Sequence, residues 1–367
     1  MRNVLISGGG IAGCALALLL SERGFAPTVV ERAPAPRTGG QAVDVRGVAL
    51  EVLERAGLLE RAREARTRMR GMSVLDAEGH EVERSTEFTY SSGRLDGPDI
   101  ELLREDLVEL LLAATRERGG TEYVFGDGLT ALTEEPGGVR ADFRHGPSRV
   151  FDLVVGADGL RSAVRHLVFG PAEEFTHHLG SYVAVFGAEN FLGLEDWQVW
   201  YRNEGTGFGI MPVRGNTELR VAAGFDSGPL PRDTDLRAVI SGRLAAVPWE
   251  GDRLAKAARE APDFHCDAIA QVRMDHWSHG RAVLLGDAGY CPTPLSGQGT
   301  SLALVGAHLL AEALAGADGD HAAAFARYEA RMRPFVALNQ ALATENPGGP
   351  PAEASMARAK AGISLDG

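Results

Sequence analysis

Lysine is almost missing from this sequence. Of its 37 basic residues, Lys256 and Lys360 are lysine and the rest are arginine. Schiff-base or lysine-nucleophile chemistry is therefore confined to two positions. Together with abundant alanine and glycine, the skew has the look of GC-rich codon usage. Cysteine is scarce too. Cys14, Cys266 and Cys291 are odd in number, far apart and without a C-x-x-C pair, which excludes a disulfide framework and suits a reducing cytoplasm. No apolar run reaches the roughly 18 residues that a membrane-spanning helix needs. Ile11-Ala12-Gly13-Cys14 resembles a lipoprotein cleavage box, but its apolar stretch follows the cysteine instead of preceding it. Excess positive charge is also absent. A net charge of −13 argues against a general nucleic-acid or anionic-membrane binder.

What is present is ordinary globular composition, 44% hydrophobic and 24% charged. The 367 residues correspond to two to two-and-a-half domains at roughly 150 residues each. Residues 3–6 read as a short buried strand. A glycine run follows, then an apolar helix from Ile11 to Arg23 stopped by Gly24, and a second strand over Thr28–Glu31. This is a βαβ-type start with a parallel sheet. Helices are expected near 47–66 and 102–118, strand–turn–strand patterns over 72–85 and 121–155, and an aromatic, mainly antiparallel sheet over 180–226. A buried strand over 282–286 precedes two helices near 298–315 and 321–344. The expected fold class is α/β, α+β overall: a Rossmann-like domain from 1–70, 100–170 and 275–315, a β-rich inserted domain from 71–99 and 171–274, a C-terminal helix at 316–345 and a flexible tail at 346–367.

Three motifs carry chemistry. Gly8-Gly9-Gly10-Ile11-Ala12-Gly13 is a G-x-G-x-x-G between strand and helix. Gly8 makes the turn, Gly10 admits a pyrophosphate and Gly13 allows close helix packing, while the helix N-terminus offers free N–H groups. Glu31 follows Gly8 by 23 residues, near the spacing of about 20 for a ribose-binding acid, and favours FAD or NAD over NADP at this site. The second motif is Gly156-Ala157-Asp158-Gly159, running on through Arg161 and Arg165. The third is Gly286-Asp287-Ala288-Gly289, continuing through Pro292, Pro294, Gly297 and Gly299 to Thr300 at a helix start. Gly205-Thr206-Gly207-Phe208-Gly209 has no helix after it and reads as a hairpin, so there is one permanent dinucleotide site.

In this order and over nearly the whole chain, the three motifs resemble the class A flavoprotein monooxygenases, the para-hydroxybenzoate-hydroxylase-like family, and among them compact members such as the tetracycline-inactivating flavin monooxygenases. The resemblance implies FAD as cofactor, NADPH or NADH as transient co-substrate, and oxygen transfer through a flavin C4a-hydroperoxide to an aromatic or polyketide-like small molecule, as in secondary metabolism. No side-chain nucleophile is then required. It implies that Gly8, Gly10, Ala12 and Gly13 cradle the pyrophosphate, with Glu31 on the adenosine ribose and Arg32 at the adenine end. Asp44 is implied near the isoalloxazine, Arg46 at a nicotinamide phosphate and Arg104 near the flavin. Asp158 is linked to both FAD and NADPH, Asp287 to the ribityl chain, and Gly297, Gly299 and Thr300 to amide contacts. Trp200, Phe208, Met211, Arg220 and Pro294 are the expected substrate-pocket walls. The third motif departs from the family pattern at Tyr290, Ser301 and Gly306, where His, Asn and Asp are common.

Bland readings stand beside these. Arg46 and Arg104 can be surface arginines, Asp158 a turn residue, and the aromatics of 182–208 core. His177-His178 lacks companions for a metal site, and no G-x-S-x-G elbow marks a hydrolase. A flavin dehydrogenase or reductase without oxygen transfer shares the same cofactor site. A flavin halogenase needs a W-x-W-x-I-P motif and a catalytic lysine; Trp197-Gln198-Val199-Trp200 has the wrong spacing, and Lys256 lies in a charged helical stretch. A non-catalytic FAD-binding module lacks an added interaction domain. Monomer and homodimer stay equally open.

Overall fold

The computed structural model describes residues 2–203, 205–346 and 351–366. The alternation of apolar strand and helix at the N-terminus builds a six-stranded sheet. Its order is Ser278–His279, Ala282–Leu284, Leu153–Gly156, Asn3–Ser7, Ala26–Glu31 and Glu122–Phe125. All its pairings are parallel except that of the short edge strand Ser278–His279. Val4, Leu5, Ile6, Val154 and Val155 are wholly buried, as expected of parallel strands covered on both faces. The helix Ile11–Glu22 packs between Arg104–Arg118 and Gly299–Ala315. The ends of the strands Asn3–Ser7 and Leu153–Gly156 thus open onto the N-termini of helices.

A second, seven-stranded sheet runs His265–Val272, Thr176–Glu189, Glu218–Asp226, Thr206–Val213, Trp197–Asn203, Gly71–Leu75 and Glu81–Ser85. It is antiparallel apart from the pairing of Trp197–Asn203 with Gly71–Leu75. Strand alternation gives it two faces. One carries Phe186, Tyr201, Phe208, Val221 and Phe225, which form a separate core with Ile240, Leu244 and Leu254 of the helices Leu236–Ala245 and Gly251–Glu260. From the opposite face Met211 and Val213 pack with Leu103, joining the two halves. A two-stranded ladder, Ala42–Val45 with Ile100–Leu103, lies at this junction.

Three local expectations change. The helix expected over 47–66 is two helices, Val48–Arg55 and Leu59–Glu64, separated at Gly57 with φ +69°. The helix expected from 102 begins at Arg104, because Leu102 and Leu103 are claimed by the strand Ile100–Leu103. The tail expected to be flexible forms the helix Glu353–Lys360 instead. Ala359 and Leu365 are buried, and Lys360 pairs with Asp99. The proline–glycine punctuation at 347–350 lies outside the described residues.

Candidate functional site

The glycine loop is built by close approach. A Cβ on Gly13 would overlap the carbonyl oxygen of Gly8, and one on Gly8, at φ +110°, would overlap the carbonyl of Ala157. Gly10 caps the helix Ile11–Glu22, which has neither a side-chain cap nor an acidic residue in its first turn. Its first N–H groups and positive dipole end are therefore available to an anion. Glu31 accepts from Gly9 N at 2.8 Å and Ala33 N at 2.9 Å, so its carboxylate borders the loop, with Arg32 exposed beside it. A Cβ on Gly10 would sit 3.2 Å from Arg104 Nη2. No hydrogen bond or ion pair to that guanidinium is found among the described residues. Burial and neighbouring Arg37 lower its basicity, while Glu31 and Asp287 oppose them.

The third motif meets the first. A Cβ on Gly286 would lie 3.2 Å from Ala12 Cβ, so the loops are in contact. Asp287 begins the short helix Asp287–Tyr290; its carboxyl is raised chiefly by burial, with Cys291 and Arg104 opposing. Gly297 takes a left-handed φ of +60°, and Gly299 and Thr300 open the helix Gly299–Ala315, again without a side-chain cap or acidic first turn. Pro294 starts the exposed turn before it. Two departures from the family pattern explain each other. The buried Tyr290 hydroxyl, bonded to Tyr328 at 2.8 Å, occupies the space a side chain at Gly306 would fill.

Asp158 turns out to brace the loops. It accepts from Ala163 N at 2.9 Å and Val164 N at 3.2 Å, and from the hydroxyls of Ser162 and Ser7 at 2.5 and 3.1 Å. It accepts from the first N–H groups of the helix Ala163–Phe169, whose N-cap is Ser162, and ties that helix to the first strand. Arg165 donates to Ala288 O at 2.7 Å and Leu160 O at 2.6 Å, linking second and third motifs.

Arg46 is buried, which removes the reading of it as a surface arginine. It bonds Asp44 at 2.8 Å and Ser91 O at 2.8 Å, and its Nη1 lies 3.4 Å from where a Cβ on Gly297 would be. Burial pushes the Asp44 carboxyl up to about 7, with Arg46 opposing and Glu101 adding to the rise. Glu101 was missed by sequence reasoning; the available signal was a carboxylate inside the apolar run Ile100-Glu101-Leu102-Leu103.

The pocket-wall residues divide. Trp200, Met211 and Arg220 share the junction face of the second sheet, in the register Trp200↔Gly209 and Met211↔Arg220. Phe208 does not. It stacks on Tyr201 at 4.7 Å in the helix-side core, because its register parity is opposite to that of Met211. Arg220 is held between Asp263 and Glu218, both at 3.4 Å, and Glu105 at 3.7 Å, so it clamps the halves together. Sequence reading also missed Gln198, which accepts from Trp200 Nε1 at 3.0 Å and donates to Ser91 Oγ at 2.6 Å, and Tyr90, edge-on to Trp200 at 5.5 Å.

Comparison with known proteins decides what this cleft belongs to. The FAD binding domain family matches residues 1–341. The chain belongs to the class A FAD-dependent monooxygenases. It is 48% identical to an uncharacterized protein of Mycobacterium tuberculosis (strain ATCC 25618 / H37Rv) over 96% of this chain and 95% of that one. It is 35% identical to a flavin-dependent monooxygenase of Legionella longbeachae, over 92% and 87%. Among solved structures, tetracycline destructase Tet(51) superposes with a TM-score of 0.89 at 30% identity, covering 100% of this chain and 99% of that one. The protein is thus an FAD-dependent monooxygenase and an oxidoreductase.

The residues present fit FAD. A pyrophosphate needs cationic and N–H donors, and the cleft offers the unpaired guanidinium of Arg104 and two uncapped helix N-termini. Glu31 and Asp287, at separate places in it, are carboxyl groups of the kind that would accept from the hydroxyls of FAD. Bound FAD supplies electron transfer from NAD(P)H and activation of oxygen. The chain supplies binding and orientation. No helix among the described residues is long and apolar enough to cross a membrane.

Proposed function

We propose that the enzyme hydroxylates a planar aromatic or polyketide-like small molecule, held between FAD and the junction face of the second sheet. The observation that carries this is the Trp200 ring. A Cβ on Gly209 would come within 2.7 Å of it, so the ring lies flat on bare backbone. Gln198 fixes its indole N–H and Tyr90 meets its edge. A flat, immobilised indole is a stacking surface for a planar ligand. Two solved structures of this fold are tetracycline destructases by name, which supports a polyketide-like substrate.

In this reading Gly8, Gly10, Ala12 and Gly13 cradle the pyrophosphate together with Arg104. Glu31 takes the ribose, Arg32 the adenine end and Asp287 the ribityl chain, and the Gly297–Thr300 amides face the flavin. Residues 1–70, 100–170 and 275–315 form the FAD domain and 71–99 with 171–274 the substrate domain. The enzyme works in the cytoplasm. The test is a screen of planar aromatic compounds that follows NAD(P)H oxidation and product mass under labelled oxygen gas. One labelled oxygen gained per product is expected; turnover that leaves products unlabelled would replace this reading with a dehydrogenase.

A further inference from the structure

In the ladder between Ala42–Val45 and Ile100–Leu103, Asp44 stands directly opposite Glu101, so the two side chains project to one face. Glu101 is buried and the Asp44 side chain is 11% exposed, and one oxygen of each, Asp44 Oδ1 and Glu101 Oε2, is itself buried with no hydrogen-bond partner among the described residues. The groups facing them can be named. Arg46 bonds Asp44 at 2.8 Å. Asp99, just before the second strand, is engaged by Lys360 of the helix Glu353–Lys360 and by Gly47 N at 3.2 Å. Thr67 donates to Glu101 Oε1 at 2.6 Å, and Ser91 and Ser301 supply hydroxyls nearby. Lys360 is committed to Asp99, so two buried carboxyls share one cation. Ionising both would leave an uncompensated buried charge; such a pair titrates as a unit and holds a proton.

The pair also has two ends. Thr67 is half-buried and borders solvent. Arg46 abuts Gly297 and takes the Ser301 hydroxyl on its own N–H at 3.1 Å, at the helix N-terminus that faces the cofactor cleft. We propose that Asp44 and Glu101 form one proton-holding unit that supplies the proton consumed in each turnover and is refilled through Thr67. The balance rests on the monooxygenase reaction: substrate C–H, O2, NAD(P)H and one H+ give C–OH, H2O and NAD(P)+. A carboxyl O–H bond breaks, and its proton ends in the water made from the second oxygen atom. The electron pair stays on the carboxylate, leaving the pair one negative charge beyond what Arg46 balances, and that excess draws in the solvent proton that restores the carboxyl. Burial raises both carboxyls in the same direction.

Infrared spectroscopy of the FAD-free protein tests the pair without the reaction. A protonated-carboxyl carbonyl stretch is expected at neutral pH, fading as pH rises through about 7 and losing intensity in Asp44→Asn and Glu101→Gln. In the loaded enzyme, hydroxylation should fall over the same pH range. Glu101→Gln should flatten that profile and slow product formation by roughly 10²-fold, with hydrogen peroxide released instead. Thr67→Val should keep the infrared band while slowing turnover. If the substituted proteins do not fold, carbon-13 aspartate and glutamate labelling of the wild type assigns the band. Absence of a protonated carboxyl at neutral pH, or an unchanged pH profile in folded Glu101→Gln, overturns the proposal. Failure of the wild type to hydroxylate anything would strike the reaction, and the infrared result would still stand alone.

Discussion

The two halves of this enzyme make their surfaces in opposite ways. Around the glycine loop the surface is backbone. Gly8, Gly10 and Gly13 work by lacking a Cβ, and two helix N-termini present peptide N–H groups. On the second sheet the surface is side chain, and what a residue meets depends on the parity of its strand. Trp200 and Met211 look toward the junction, while Phe208 looks into a separate core. A backbone site tolerates no added atom. A side-chain site can be rebuilt one residue at a time while the reverse face keeps the sheet folded, which suits a scaffold that serves many substrates.

The contrast is broken most severely at the loop. Gly13→Ala places a Cβ onto the carbonyl of Gly8, a backbone group that cannot swing aside, with Ile6 Cγ2 only 3.3 Å away. Purified protein is expected to be colourless and to remain so when FAD is added, as visible absorbance would show. Overpacking of this kind costs about 1–3 kcal/mol or more where relaxation is blocked. A yellow, fully loaded Gly13→Ala protein would show that the loop is far more compliant than its geometry.

The two faces of the sheet give the next largest effect. Phe208→Ala removes a ring stacked on Tyr201 and adjoining Trp249 at 6.0 Å and should lower stability by about 3–5 kcal/mol, with substrate KM nearly unchanged. Trp200→Ala should do the reverse. Loss of the stacking surface is worth about 0.5–1.5 kcal/mol, a several-fold rise in KM, at little cost in Tm. Thermal melts and steady-state kinetics on the pair decide it; equal effects from both substitutions would remove the distinction between faces.

Arg104 sharpens the comparison, being the side chain proposed to complete the backbone site. Its guanidinium faces Gly10 without a partner among the described residues, and burial disfavours its charge. Arg104→Ala should therefore leave the FAD-free protein as stable as the parent or more so. FAD binding should weaken by about 1.5–3 kcal/mol, the worth of a hydrogen bond to a charged group. Melting curves with and without FAD read both signs in one experiment. A loss of stability in the FAD-free protein would make Arg104 a structural residue.

This division also governs what the chain discloses before folding. The first and third motifs were legible because glycine spacing and an acid at a strand end report backbone geometry directly, and the structure brings Ala12 and Gly286 into contact. Asp158 was legible as a motif but not as the brace it forms, since its bond to Ser7 comes from a distant strand. Phe208 was misplaced because two overlapping signals, aromatic richness and position, say nothing of parity. Its register with Tyr201 settles that only once strands pair. Glu101 stayed hidden for the same reason: its meaning comes from standing opposite Asp44.

The smallest effect expected lies at the C-terminal helix, whose sequence reads as tail. Met356 Sδ accepts from Gln298 Nε2 at 3.0 Å and touches Arg46 Nη1 at 3.8 Å, so a short helix lays a soft, polarizable side chain on the junction of the two halves. Met356→Ala removes a half-buried thioether and should cost about 1 kcal/mol in stability, with FAD retention intact, because nothing in the glycine loop depends on it. Arg46 would keep Asp44 and Ser91 as partners, so its position should hold while local protection falls. Hydrogen exchange at Gln298 and Arg46 measures that directly. Faster exchange there with unchanged FAD affinity would place the helix in the side-chain half of the enzyme; loss of FAD would make it part of the cofactor site.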